Sequence, residues 1–352
     1  MREESYQFLK DIVETASPSG FEQAVQKKIR EYITPYADEV RTDVHGNVIA
    51  VKNPGAPLRV MFAGHCDEIG LMITNIVKEG YCYFAAIGGI DPATISGQRV
   101  TIHGSNGPVS GVIGRQPIHL MKKEDLGKVS ELHELWIDIG ARSDEEARQF
   151  VTVGDPVTVD VGLVRLQNDL AAARGFDDRV GAFVVMEALR LLHEREIRVS
   201  LYSVSTVQEE IGLRGASTSA YSIEPHVGIA VDVGFASDFP GVEKNKVGDV
   251  KLGSGPALHR GPNINPVVER MLLQVCKDKN IPWQMQAEPK ATGTDANVIQ
   301  ISRAGVAAGL VSIPNRYMHT PVEVVSLQDL ESCAQLLAEF VAALYPQMSF
   351  IP

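Results

Sequence analysis

At 352 residues, 44% of them apolar, the chain is longer than one ordinary domain; this excludes a disordered protein and predicts one large domain with a smaller one. Its 44 acidic residues outnumber 33 basic ones for a formal charge of −11, and no Lys/Arg cluster supplies the footprint of a nucleic-acid partner. Four widely spaced cysteines (Cys66, Cys82, Cys276, Cys333) form no CxxC pair and suit free buried thiols in a reducing compartment.

The N-terminus runs straight into an amphipathic pattern (Leu9, Ile12, Val13) without a signal-peptide core, and no apolar run reaches membrane-spanning length. The expectation is a soluble, cytoplasmic protein. A second helix is expected to open at Ser19-Gly-Phe-Glu22, which has capping-box spacing, and the strand Val60-Met-Phe-Ala leads to His65.

From about 69 to 162 the texture changes to short alternating runs: Leu71–Ile76, Tyr81–Phe84, Val100–Ile102 and Val157–Val159. Turn signals such as Asn106-Gly107 separate them, and one short helix is capped at Ser143 with Glu146 three residues on. This segment reads as a small β-rich domain inserted into an α/β one.

From about 163 helix and strand alternate again. Val180, Phe183, Val184, Met186, Ala188, Leu191 and Leu192 mark one broad helix face, followed by the strand Val199–Val207. Asn265-Pro266 supplies a cap and a first-turn proline for a helix through Met271, Leu272 and Val275, and a last helix runs from Ser326 with Leu330, Leu337 and Phe340 on its apolar side. The alternation predicts an α/β fold with a mostly parallel sheet flanked by helices, built from residues 1–68 and 163–352.

Five potential metal-binding positions each follow an apolar stretch that reads as a strand of that sheet: His65, one of Asp177-Asp178, Glu210, Asp232 and His319. In open α/β sheets ligands bind outside the carboxyl ends of the strands, so two imidazoles and three carboxylates converge on one crevice, the composition of a two-metal hydrolytic centre. Taken singly, each has a dull explanation. His-x-Asp triplets are common in surface loops, one Asp of a pair at a helix start is an N-cap, Glu-Glu pairs are usually solvated turns, and a lone His is usually structural. The combination is what favours metal. Adjacent residues leaving a strand point to different sides, so Glu210 can bind a cation while Glu209 faces substrate as a base. His65 and Asp67, two apart on extended backbone, point the same way, so Asp67 can orient the imidazole.

The strings Gly64-His-Cys-Asp-Glu-Ile-Gly70, Gly175-Phe-Asp-Asp-Arg-Val-Gly181, Val207-Gln-Glu-Glu-Ile-Gly212, Gly293-Thr-Asp-Ala296 and Ser312-Ile-Pro-Asn-Arg-Tyr-Met-His319 resemble those of the M42 metallopeptidases, along essentially the whole chain. That family comprises glutamyl and leucyl aminopeptidases, including tetrahedral self-compartmentalising enzymes, and some members labelled endoglucanases. The resemblance implies a catalytic domain (1–68 and 163–352) split by a dimerisation domain (69–162), and a dinuclear zinc or cobalt site. It also implies that His65 and Asp232 each hold one of the two metals together with Glu210 or His319, that the bridging carboxylate comes from Asp177-Asp178, that Glu209 is the base and that Asp67 orients His65. The related bridging Asp lies four residues before a helix glycine, which matches Asp177 and Gly181. The activity implied is removal of N-terminal residues from short peptides with a free α-amine, by a homo-oligomer built from dimers and possibly reaching a dodecamer. A metal-dependent deacylase or carboxypeptidase, a glycan hydrolase and a non-enzymatic oligomeric binding protein are the competing readings.

Overall fold

The computed structural model describes residues 1–352, the side chain of Asp125 excepted. An eight-stranded mixed sheet forms its centre, in the order Glu39–Thr42, Val48–Lys52, Ser200–Thr206, Arg59–His65, Val227–Phe235, Ala307–Asn315, Ala257–Arg260, Gln284–Ala287. The middle four strands are parallel to one another. Outside them, Val48–Lys52 and Ala257–Arg260 run antiparallel to their inner neighbours, while Gln284–Ala287 is again parallel to Ala257–Arg260, so four of the seven strand pairings are parallel and the sheet is mixed at both flanks. The reversal at Val48–Lys52 follows from its hairpin with Glu39–Thr42, which needs no crossover helix.

Both faces are covered, which is why the central strands are apolar almost throughout. Their period-two alternation divides the side chains between two cores. Val60, Phe62, Val231 and Ile313 pack with the helices Glu3–Glu14, Gln23–Ile33, Phe176–Leu191, Pro266–Lys279 and Leu327–Ala342. Met61, Ala63 and Val204 pack on the other face against Arg214–Ile223 and Asp295–Gln300. Asn265 and Ser326 cap their helices as their positions predict, accepting from the N–H groups of Val267 and Val268 and of Asp329.

Two local expectations are corrected. The second helix starts only at Gln23, because Ser19 gives its hydroxyl to Asp67 and the Glu22 carboxylate accepts from the N–H groups of Gly20 and Gln208. The helix Phe176–Leu191 lacks a single apolar stripe; wedged between sheet and helices, it is buried on nearly every side until Leu191, which is exposed.

Strands Gly70–Ile76, Cys82–Ile87, Arg99–Gly104, Gly107–Gly114, Trp136–Asp138 and Pro156–Val159 close into a separate antiparallel barrel. Its interior is a core of its own, with Leu71, Ile73, Phe84, Ile102, Ile113 and Ile137 at the centre. The chain enters it from His65 and returns toward Leu170–Ala173, so the barrel stands over the carboxyl edge of the parallel strands.

Where the two parts meet, Glu68 is buried against two guanidiniums. Arg174 and Arg179 both donate to its carboxylate, and the fully buried Arg179 also donates to the carbonyls of Thr15 and Gly175 at 2.7 and 2.9 Å. Burial alone would push the Glu68 carboxyl up, but the two arginines hold it below the ordinary carboxylate range.

Candidate metal centre

Four segments deliver His65, Glu209, Glu210, Asp232 and His319 to one cleft at the carboxyl edge of the sheet. His65 ends its strand, Glu209 and Glu210 follow the strand ending at Thr206, and Asp232 is the sixth residue of its strand. His319 lies beyond Asn315, with φ of 61°. Asp177 arrives differently from the expectation that it follows a parallel strand. The preceding strand, Leu170–Ala173, belongs to a three-stranded antiparallel sheet with Val164–Arg165 and Glu323–Ser326.

The Asp pair divides its duties. Asp178 has its oxygens on the N–H groups of Gly181 (3.1 Å) and His65 (3.2 Å), so it caps the helix and ties it to the His65 strand. Gly181 is required there, because a Cβ would fall 2.1 Å from Asp178 Oδ2. Asp177 instead faces the cleft, with Oδ1 3.3 Å from His65 Nε2 and Oδ2 3.1 Å from His319 Nε2. Donor atoms of His65, Asp177 and Glu210 lie within 4.8 Å of one another, as do those of His65, Asp178 and Asp232. In the second set Asp178 is committed to backbone N–H groups, which leaves Asp177 as the carboxylate with both oxygens turned to imidazoles.

The other acids sort around those two oxygens. Asp232 Oδ1 is 4.0 Å and Glu209 Oε2 3.7 Å from His65 Nε2, whereas Glu210 Oε2 is 3.5 Å from His319 Nε2. Asp232 therefore approaches His65 and Glu210 approaches His319, while a donor atom of Glu210 also falls within 4.8 Å of one on His65.

Asp67 does more than face an imidazole. Its carboxylate takes the Ser19 hydroxyl and the N–H groups of Glu209 (3.0 Å) and Glu210 (3.2 Å), while His65 Nδ1 is 3.5 Å from Oδ1 and 3.1 Å from the Asp67 carbonyl. Burial opposes its charge, but His65, Ser19 and the Glu209 N–H keep the Asp67 carboxyl below the usual range. It thus fixes the Glu209-Glu210 turn, which closes with the Gly212 N–H on the Glu209 carbonyl and needs glycine at φ of 121°.

Glu323 was missed from sequence. Buried, it accepts from the N–H of Asp177 with Oε2 and of His319 with Oε1, both at 2.9 Å, so one carboxylate positions two residues of the centre. The available signal was an acid interrupting the run Val322-Glu-Val-Val325, where desolvation demands partners. Asp295, from the string Gly293–Ala296, accepts from the Thr206 hydroxyl at 2.6 Å, and its Oδ1 is buried without a partner.

So many acids in one buried place work against one another. Burial and then nearby charges push Glu210 and Asp232 up, and Glu209 to about 10, whereas contacts with His319 and His65 outweigh burial and hold Asp177 at about 2. Glu210 Oε1 has no protein partner although buried. Two imidazoles, three carboxylates and an unpaired carboxylate oxygen form an N/O donor set that suits divalent zinc or cobalt, whose charge would offset the crowded acids.

A profile of the M42 glutamyl aminopeptidase family matches residues 46–336. The chain belongs to the M42 peptidase family. Members are metal-dependent aminopeptidases, so this M42 protein is a peptide hydrolase. It is 38% identical to the lysyl aminopeptidase of Pyrococcus furiosus over 352 residues, covering 99% of both chains. Its fold matches a TET aminopeptidase from the marine sediment archaeon Thaumarchaeota archaeon SCGC AB-539-E09 with a TM-score of 0.93 at 36% identity, covering 97% of each chain. It also matches the Pyrococcus horikoshii TET1 peptidase, which assembles into a tetrahedron or a large octahedral shell, with a TM-score of 0.87 at 31% identity, covering 97% of this chain and all of that one. Among the described residues, no helix of the M42 chain is long and apolar enough to cross a membrane.

Proposed function

We propose that this M42 peptidase is a dinuclear aminopeptidase in which Asp177 would be shared between two divalent cations and Glu209 would act as the general base. His65 and Asp232 would help hold one cation, and His319 and Glu210 the other. The observation that carries this reading is the carboxylate of Asp177, whose two oxygens face two imidazoles at 3.3 and 3.1 Å. Zinc and cobalt accept the same donors, and either fits.

Cations held there supply Lewis-acid polarisation of the scissile carbonyl and acidify the attacking water. The remaining work falls to the chain. Glu209, with Oε2 near His65 and its backbone held by Asp67, accepts the proton of the water and returns it to the leaving amine. Without cations, burial pushes the Glu209 carboxyl up to about 10, and the charge of two divalent ions beside it would favour the ionised form that can accept a proton. Asp67 and Glu323 keep the Glu209-Glu210 turn and the Asp177–His319 pair in place through backbone N–H groups, so little reorganisation is needed during the reaction.

The excess of acids at the cleft also suits the free α-amine of a peptide, which points to removal of N-terminal residues from short peptides. The barrel at residues 70–159, within the segment 69–162, is assigned to subunit association, with a dimer as building block of a larger homo-oligomer. The test compares amino-acid release from a free peptide and its N-acetylated form, with and without chelator. Release from the free form alone, abolished by chelator and restored by zinc or cobalt, is expected. Chelator-insensitive release would overturn the mechanism, and preference for the blocked form would favour a deacylase.

A further inference from the structure

The sheet continues past the metal centre. Asp232 is registered with Ser312, and Ser312 with Ala257 on the next strand. Side chains alternate along a strand, so His259 shares the face of Ala257, and its partner Gln286 on the edge strand shares that face too. The ladder extends beyond Ala287, since the Glu288 N–H donates to the Arg260 carbonyl at 2.9 Å, and Glu288 falls on the same face as Gln286. Gly261 permits this approach, because a Cβ there would sit 1.8 Å from the Glu288 carbonyl oxygen. A row of side chains therefore leads from Asp232 across three strand spacings, roughly 14 Å, to Gln286 and Glu288.

This row floors a cleft of about 550 Å³ that also contains Glu209, Glu210 and His319. Leu310 and Met318 give it an apolar wall. Among the described residues lining it there is no Lys or Arg. The one cationic neighbour in sequence, Arg260, points to the opposite face and pairs with Glu269. Gln286 Oε1 is buried without a partner. His259, with Nε2 on the Ser312 hydroxyl, is no substitute cation: burial holds its pKa near 4. Of the acids lining the cleft, Asp177, Glu209, Glu210 and Asp232 cluster on the two imidazoles and Glu288 stands apart from them.

We infer that the cleft selects peptides whose first residue is lysine or arginine, the aliphatic stem lying along Leu310 and Met318 and the cationic end meeting Glu288 and Gln286 Oε1. An apolar wall ending in acceptors is complementary to these side chains, which bury a stem and keep a charged head. An acidic first residue would meet Glu288 with like charge, and leucine would leave the Gln286 acceptor unpaired. This specificity rests on the aminopeptidase reading above.

The test measures kcat/KM for the Lys, Arg, Leu and Glu p-nitroanilides with the intact protein in excess zinc or cobalt. Lys and Arg should lead Leu, with Glu last. Glu288→Gln should lower the Lys-to-Leu ratio by on the order of tenfold to a hundredfold, the range for losing one charged hydrogen bond. Glu288→Lys should move the Lys-to-Glu ratio toward Glu. A wild-type preference for Leu or Glu, or a ratio unmoved by Glu288→Gln, would overturn the specificity and leave the peptidase reading standing. Failure to cleave any of the four would overturn that reading itself, and the specificity with it.

Discussion

Two buried charge clusters lie a few residues apart in this chain and are built on opposite principles. Around Glu68 one carboxylate meets two guanidiniums, whose N–H groups also reach the carbonyls of Thr15, Arg174 and Gly175, and the group stays ionised below its ordinary range. Around Asp177 carboxylates outnumber imidazoles, Glu210 Oε1 has no partner, and burial drives Glu209, Glu210 and Asp232 up. A cluster whose charges cancel within the protein holds two parts of the fold together. One whose charges do not cancel is held ready for something the protein binds.

That contrast can be broken by substitution. Glu209→Gln keeps the shape and removes the base, so kcat should fall by about 10²- to 10⁴-fold with metal content unchanged. Near-normal kcat with full metal would move the base elsewhere. Arg179→Met should cost about 3–5 kcal/mol of stability by leaving Glu68 short of a buried partner, measured by denaturant unfolding with and without chelator. A loss below 1 kcal/mol would show that Arg174 alone satisfies Glu68.

Glu323→Gln removes one of the two acceptors that hold the N–H groups of Asp177 and His319, and should lower activity or metal affinity by roughly tenfold to a hundredfold with little change in melting temperature. A large stability loss with unaltered metal affinity would make Glu323 a purely structural residue.

The smallest effect is a pH dependence. The native Glu68 carboxyl titrates below its ordinary value of 4.5, so its ionised form stabilises the fold above that pH, and the contribution fades as pH falls through the native value. The stability gap between wild type and Glu68→Gln should therefore be widest near neutrality and narrow below about pH 4.5. A gap constant with pH would mean that Glu68 contributes through packing alone.

What the sequence made legible follows from how local each cause is. The strand before His65, the caps at Asn265 and Ser326, and four of the six strands that close the barrel rest on periodicity and single-residue chemistry and stand where the sequence puts them, whereas Gly107–Gly114 and Trp136–Asp138 were missed. Ser19 was misread because its hydroxyl answers to Asp67, 48 residues away, rather than to its own helix. The buried sides of Phe176–Leu191 were misread because a helix enclosed by other elements needs no polar stripe. Asp177 and Asp178 look alike in sequence, and only the approach of Gly181 and the His65 strand separates the cap from the carboxylate turned to the cleft. The row from Asp232 to Glu288 depends on strand order, which links segments more than 50 residues apart and has no local signature.

The central claim is that one carboxylate divides the cleft into two cation sites. Zinc titration of the metal-stripped protein by calorimetry, repeated on His319→Ala, tests it most directly. Two zinc ions per chain in the wild type and one in the variant are expected. A single site in the wild type, or two undiminished sites in His319→Ala, would contradict it.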